Sequence, residues 1–204
     1  MRFCSNHACI LAAALILVSG CFFAGYAAEV TPAEKRLYAA HGLYNRGMYK
    51  LAAEEYTAFL EAAPDHENAD QARYALALCY YNTEAYAEAA KVLQTLTAKS
   101  DFQYAAEVHT LLGQCLLAQN QLDEAAKAFS WAVENKADSE MADDAAAGFA
   151  EVAMVGEQWD EAARRYEQLL ERWPDSPLAP RSRFQAALAP YRKGEFAVTL
   201  KHLD

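Results

Sequence analysis

Glu84-Ala-Tyr-Ala-Glu-Ala89, Asn120-Gln-Leu-Asp-Glu-Ala125 and Glu157-Gln-Trp-Asp-Glu-Ala162 are three versions of one phrase. An earlier version reads Gly47-Met-Tyr-Lys-Leu-Ala52, and a fifth opens at Gly194-Glu-Phe196. The closing alanines fall 37, 36 and 37 residues apart. Alignment on them brings out three more columns. One is aromatic or Leu: Tyr49, Tyr86, Leu122, Trp159, Phe196. A second, nine residues earlier, is small: Ala40, Ala77, Gly113, Ala150, Ala187. A third, four after the alanines, is bulky: Tyr56, Leu93, Phe129, Tyr166. Several matched columns in one register at this period are the mark of a stacked repeat.

Two antiparallel helices per repeat explain the columns. Small residues let the helices approach closely, and large ones fill the groove left beside them. The apolar periodicity predicts a first helix such as Ala33 to Tyr44, a short turn, and a second helix such as Lys50 to Ala62. Pro64 and Pro174 end two of the units because proline cannot continue a helix. One such pair cannot bury its apolar face alone, so neighbours must stack into an all-α solenoid of about four and a half repeats.

These residues resemble the tetratricopeptide repeat family over roughly residues 33–204. Its Leu-Gly pair stands as Leu112-Gly113, and its Ala-x-x-x-Tyr/Phe as Ala52 with Tyr56, Ala125 with Phe129, and Ala162 with Tyr166. Its closing Pro stands as Pro64 and Pro174. The Trp of the family's first helix is replaced by Arg36, Arg73 and His109 in the first three repeats. The resemblance implies a right-handed superhelix that binds proteins or peptides on its concave face. The 36–37-residue period and the long loops after Pro64 and Pro174 are similar to the bacterial envelope subset, which includes the outer-membrane assembly lipoprotein BamD and the Tol-associated CpoB. That similarity implies a periplasmic scaffold joining envelope proteins.

The N-terminus points to the same compartment. Residues 1–28 hold no Asp or Glu, carry Arg2, and run apolar from Ala8 to Val18, as a secretory signal does. Three outcomes stay open. Val18-Ser19-Gly20-Cys21 resembles a lipobox, with Cys21 lipidated; Gly25-Tyr26-Ala27 offers an ordinary cleavage site; Ala8 to Ala28 is long enough for an uncleaved anchor. All three place residues 29–204 outside the cytoplasm, and the first and third attach the array to a membrane. A formal charge of −10 disfavours nucleic acid. The acid is concentrated in residues 29–160, with 22 acidic against 9 basic residues, whereas 161–204 hold 6 and 8.

No residue pattern announces catalysis, a metal or a cofactor. His41, His66, His109 and His202 stand 25, 43 and 93 residues apart, and phosphate-cradling glycine loops and nucleophile elbows are missing. Carboxylate pairs such as Glu54-Glu55 and Asp143-Asp144 read as solvated helix surface. Cys79 and Cys115 share one slot of successive repeats, and helices about 8–10 Å apart hold them too far apart for a disulfide, so they read as packed thiols.

Mapping the family's concave face onto this chain gives Leu37, His41, Tyr44 and Asn45, then Tyr74, Leu78, Tyr81 and Asn82, then Thr110, Gln114 and Leu117. Tyr beside Asn suits an extended peptide, since the ring buries area at low entropic cost and the amide can bond a backbone. The family's basic clamp for a C-terminal carboxylate is not reproduced, because Leu37, Ala75, Glu107 and Leu111 occupy its positions. The alternative role is a structural or oligomerisation arm of a larger envelope assembly with an empty groove. The fifth repeat is short, with Phe196, Val198, Leu200 and Leu203 on a brief second helix. Trp159, Tyr166 and Leu170 are therefore expected to be partly uncovered, in a fragment of a longer protein or in a chain that self-associates there.

Overall fold

The computed structural model describes residues 30–197 and 199. The signal segment, Cys21, and Val198, Leu200 and Leu203 lie outside the described residues. Nine helices are described: α1 (Pro32–Asn45), α2 (Tyr49–Ala62), α3 (Ala69–Asn82), α4 (Tyr86–Gln94), α5 (Ala105–Ala118), α6 (Leu122–Asn135), α7 (Ala142–Val155), α8 (Trp159–Arg172) and α9 (Ala179–Lys193). Phe196 and Ala197 open a further helical turn. No described residue is in a strand.

Local chemistry fixes the start of the array. Thr31 caps α1, its Oγ1 accepting the Glu34 N–H at 3.2 Å while Glu34 Oε2 accepts the Thr31 N–H at 2.7 Å. This reciprocal pair satisfies two of the amides that a helix start leaves orphaned, and Pro32 sits at the first helical position, where its missing N–H is harmless.

Every turn from first to second helix is built the same way. Gly47, Glu84, Asn120, Glu157 and Gly194 all have positive φ, at 71°, 60°, 58°, 56° and 88°. In each turn this residue's N–H reaches back three residues, as from Gly47 to Tyr44 O at 2.9 Å and from Glu84 to Tyr81 O at 3.0 Å. The next N–H reaches back five, as from Met48 to Leu43 O and from Gln158 to Ala153 O. These bonds close the helix end in the Schellman manner, which needs one left-handed residue. The loops between repeats are regular too. Two successive turns link Ala63, His66 and Ala69, then Lys99, Phe102 and Ala105, Lys136, Ser139 and Ala142, and Trp173, Ser176 and Ala179. The alanine that ends each loop is buried, a column that the sequence reading did not pick out.

Packing follows the small-and-large register. Ala40, Ala77, Gly113, Ala150 and Ala187 are buried, as are the large partners Tyr56, Leu93, Phe129 and Tyr166. Phe129 of α6 shows the tolerance most clearly. A methyl group added at Gly113 on α5 would lie 2.8 Å from its ring, and one at Gly148 on α7 only 2.4 Å away. Helices consecutive in sequence pack together throughout, and α5 also packs on α7 across the intervening α6. Among the described helices no other pair from successive repeats packs to that extent except where the helices are consecutive in sequence. The first helices α3, α5, α7 and α9 together wall one cleft, so they form the inner layer and the second helices the outer one.

One expectation is corrected at the far end. Tyr166 is buried, because α9 lays Ala186 over it beside Ala150. The first helix of the fifth repeat is enough to cover α8 there, while Trp159 and Leu170 are half-buried. The uncovered rings are instead Phe184 and Tyr191 on α9, and Phe196 beyond it, at 60%, 53% and 62% exposure.

Left-handed backbone strains a residue that bears a Cβ by about 1–2 kcal/mol, a strain that glycine escapes. Glu84→Gly and Glu157→Gly are each expected to stabilise the protein by about 1 kcal/mol in urea unfolding, and Gly47→Ala to destabilise it comparably. An unchanged or lowered midpoint in both glutamate variants would show that the turns hold no such strain.

Candidate binding groove

The inner layer opens into a groove of about 410 Å³ between α3, α5, α7 and α9. Tyr81 comes from α3; Gln114 and Leu117 come from α5; Asp144, Ala147, Glu151 and Val155 come from α7; Arg181 comes from α9. Phe129 and Tyr166 reach its floor from the outer layer. Each inner helix presents this strip because residues three, four and seven apart share a helix face, and the repeat places each strip in line with the next.

The residues named from sequence divide into those the groove contains and those it does not. Tyr81 and Gln114 line it, as does Leu117. Tyr81 is also braced edge-on by Tyr86, with centroids 5.6 Å apart, as Tyr44 is by Tyr49 at 5.5 Å. Tyr74 stacks on Tyr104 at 5.2 Å and is half-buried, like Leu78. Asn82 is exposed, but its Nδ2 donates to Leu78 O at 2.7 Å, and Asn45 is exposed. His41 is exposed, its ring edge-on to Tyr56. Leu37 and Thr110 are buried and so are withdrawn as contacts for a partner: Leu37 sits in the core with Ala72 and Leu76 of α3, and Thr110 has no solvent-accessible surface.

The sequence reading missed the charged groups. Glu151 accepts a bond from the Tyr166 hydroxyl at 3.0 Å and meets Arg181 Nη2 at 3.5 Å. Asp143 accepts the Ser176 hydroxyl at 2.5 Å. Asp144 is half-buried rather than solvated, and its carboxyl is held above the ordinary range, first by desolvation and then by the neighbouring Asp143. Glu54, by contrast, is exposed, and Glu55 pairs with Arg36 at 3.0 Å.

The reactive side chains have structural surroundings. Cys79 and Cys115 are free and buried, and burial pushes both thiols up to about 12, far from the thiolate that chemistry would need. His109 lies flat on Trp131 at 3.7 Å and is buried; desolvation outweighs the Thr97 backbone and lowers its pKa, so the neutral ring is the folded form. His66 accepts the Asn68 N–H at 3.1 Å and packs edge-on against Phe59. Among the described residues no three His, Cys, Asp or Glu side chains converge on a common point, and no helix is long and apolar enough to cross a membrane.

Residues 20–143 match the tetratricopeptide repeat-like domain, and residues 148–198 match the tetratricopeptide repeat. The chain belongs to the tetratricopeptide repeat family. No curated protein matches its sequence. Among solved structures it is similar to MamA, with a TM-score of 0.72 and 19% identity over 84% of this chain and 87% of that one. It is also similar to MamA 41-end from Desulfovibrio magneticus RS-1, at 0.69 and 14% over 84% and 90%. A third is YrrB, described as a TPR protein with an unusual peptide-binding site, at 0.65 and 22% over 84% and 83%. Identities this low carry the fold alone. The family is one of protein-interaction scaffolds, and neither matched domain is catalytic.

Proposed function

We propose that this chain is a non-enzymatic adaptor of the bacterial cell envelope that holds an extended protein segment in the groove on its inner layer. The observation that carries the proposal is the groove itself: concave, walled by four inner helices, and mixed in lining. Apolar Leu117 and Val155 lie beside hydrogen-bonding Gln114 and Tyr81. A few placed polar groups in an apolar cleft are what binding sites present. Tyr81 is pre-organised by Tyr86, so little freedom is lost when a partner covers it. YrrB, similar in fold, is a peptide binder by its description, which lends the same use to this groove.

Export and lipidation of Cys21 belong to the same proposal and rest on the composition of residues 1–28. The lipid would fix the array to a membrane surface, where it would join envelope proteins as the resemblance to BamD and CpoB implies. A second role, an assembly arm, is favoured by Phe184, Tyr191 and Phe196. Phe184 holds the register of Leu37, which is buried against the next repeat, whereas here all three rings stand open.

Photo-crosslinking from single positions in cells separates the two. A probe at Gln114 should capture a partner, and one at Glu124 on the outer layer should not. Capture at Phe184 with none at Gln114 would replace the groove by the arm, and equal capture at Gln114 and Glu124 would end the groove assignment. Fatty-acid labelling should mark the wild-type chain and disappear in Cys21→Ser; label that persists in the variant rules out lipidation at that cysteine.

A further inference from the structure

The groove contains one charged group that the fold leaves unpaired. Glu151 has the Tyr166 hydroxyl and Arg181, and Asp143 has Ser176. Asp144, half-buried on the groove wall, has no cation and no donor from another side chain among the described residues. It lies in the first turn of α7, where the helix dipole favours an anion. Desolvation and Asp143 nonetheless prevail, and its carboxyl stays above the ordinary range. A half-buried carboxylate in this position is relieved by hydrogen-bond donors, and most strongly by a cation brought in by a ligand.

The acid does not stand alone on the inner layer. Glu107 of α5 holds the same register one repeat earlier, 37 residues before Asp144, and its charge acts on the Tyr74 phenol. Basic residues are sparse there. Arg181 is the one cation lining the groove, already opposed by Glu151 and largely exposed. Charge complementarity therefore selects the occupant. An acidic segment would meet Asp144 with no cation free to screen it, and a neutral one could offer it only uncharged donors, about half as strong as charge-assisted ones.

We infer that the groove recognises an extended basic segment, one lysine or arginine side chain pairing with Asp144 and a second, three residues away, facing Glu107. This inference rests on the groove reading above and names its ligand class. The spacing comes from two repeat lengths. Neighbouring packed helices lie about 8–10 Å apart. In a polyproline-II segment, residues three apart share a face and stand roughly 9 Å apart. Gln114 and Tyr81 then lie within the same groove to bond the segment's backbone, which that conformation leaves free of internal hydrogen bonds.

The test uses the full chain and three fluorescein-labelled peptides in anisotropy titrations at low ionic strength. One is Gly-Ala-Lys-Pro-Ala-Lys-Ala-Gly; the others carry glutamine or glutamate at both lysine positions. The lysine peptide should bind about tenfold or more tightly than the glutamine peptide, the scale of one charge-assisted hydrogen bond, with the gap closing as salt is added. Asp144→Asn should remove most of that preference, and Glu107→Gln a smaller part, with circular dichroism unchanged. Ala147→Arg, which fills the groove, should abolish binding of every peptide. Equal affinity for the lysine and glutamine peptides, both blocked by Ala147→Arg, would overturn the basic preference and leave the groove standing. Binding indifferent to Ala147→Arg, or no binding by any of the three, would overturn the inference and the groove together.

Discussion

The contact on which the structure depends is the meeting of a small residue on each first helix with a large one on the second. Where Ala40, Ala77, Gly113 or Ala150 faces Tyr56, Leu93, Phe129 or Tyr166, the two backbones come close and the ring or branched chain fills the space beside them. Dispersion falls off steeply with distance, so the fit decides the angle and separation of each pair. Repetition of one fit at a 36–37-residue period converts a local preference into a solenoid. The Schellman closures and double-turn loops hold the pairs in register but contribute few side chains to the core.

The inner layer inherits its chemistry from this arrangement. On that side α5 touches α7, and α3, α5, α7 and α9 wall a concavity. Side chains turned into the concavity are relieved of packing duty, so they can be polar, as Gln114, Asp144 and Glu151 are. Phe129 serves both sides: it is the wedge between Gly113 and Gly148 and part of the groove floor. Binding geometry is thus coupled to core packing.

Much of this could be read from the sequence because it is periodic. The columns of alanines, of small residues and of rings predicted the helix pairs, and the bounds of α1 and α2 agree with the predicted ones to within a residue or so. Phrases that open at Gly47, Glu84, Asn120, Glu157 and Gly194 turn out to start on the left-handed residue of each turn. The surface was harder to read because it depends on residues far away in the chain. Leu37 and Thr110 share a helix face with residues that line the groove, yet both are buried. Asp144 looked like half of a solvated pair, yet it is half-buried on a groove wall to which Leu178 and Arg181 of the next repeat also contribute. Tyr166 was expected to be uncovered, and a single helix, α9, proved sufficient to bury it.

The most direct test of the small-and-large contact is a double-mutant cycle at Gly148 and Phe129. On helix propensity alone, Gly148→Ala would stabilise α7 by about 1 kcal/mol. Because the added methyl would meet the Phe129 ring, the change should instead destabilise the protein by about 1–3 kcal/mol. Phe129→Leu should recover part of that loss in the double variant, with a coupling energy of roughly 1 kcal/mol or more. A stabilising Gly148→Ala, or strictly additive effects, would contradict the claim that this contact sets the fold.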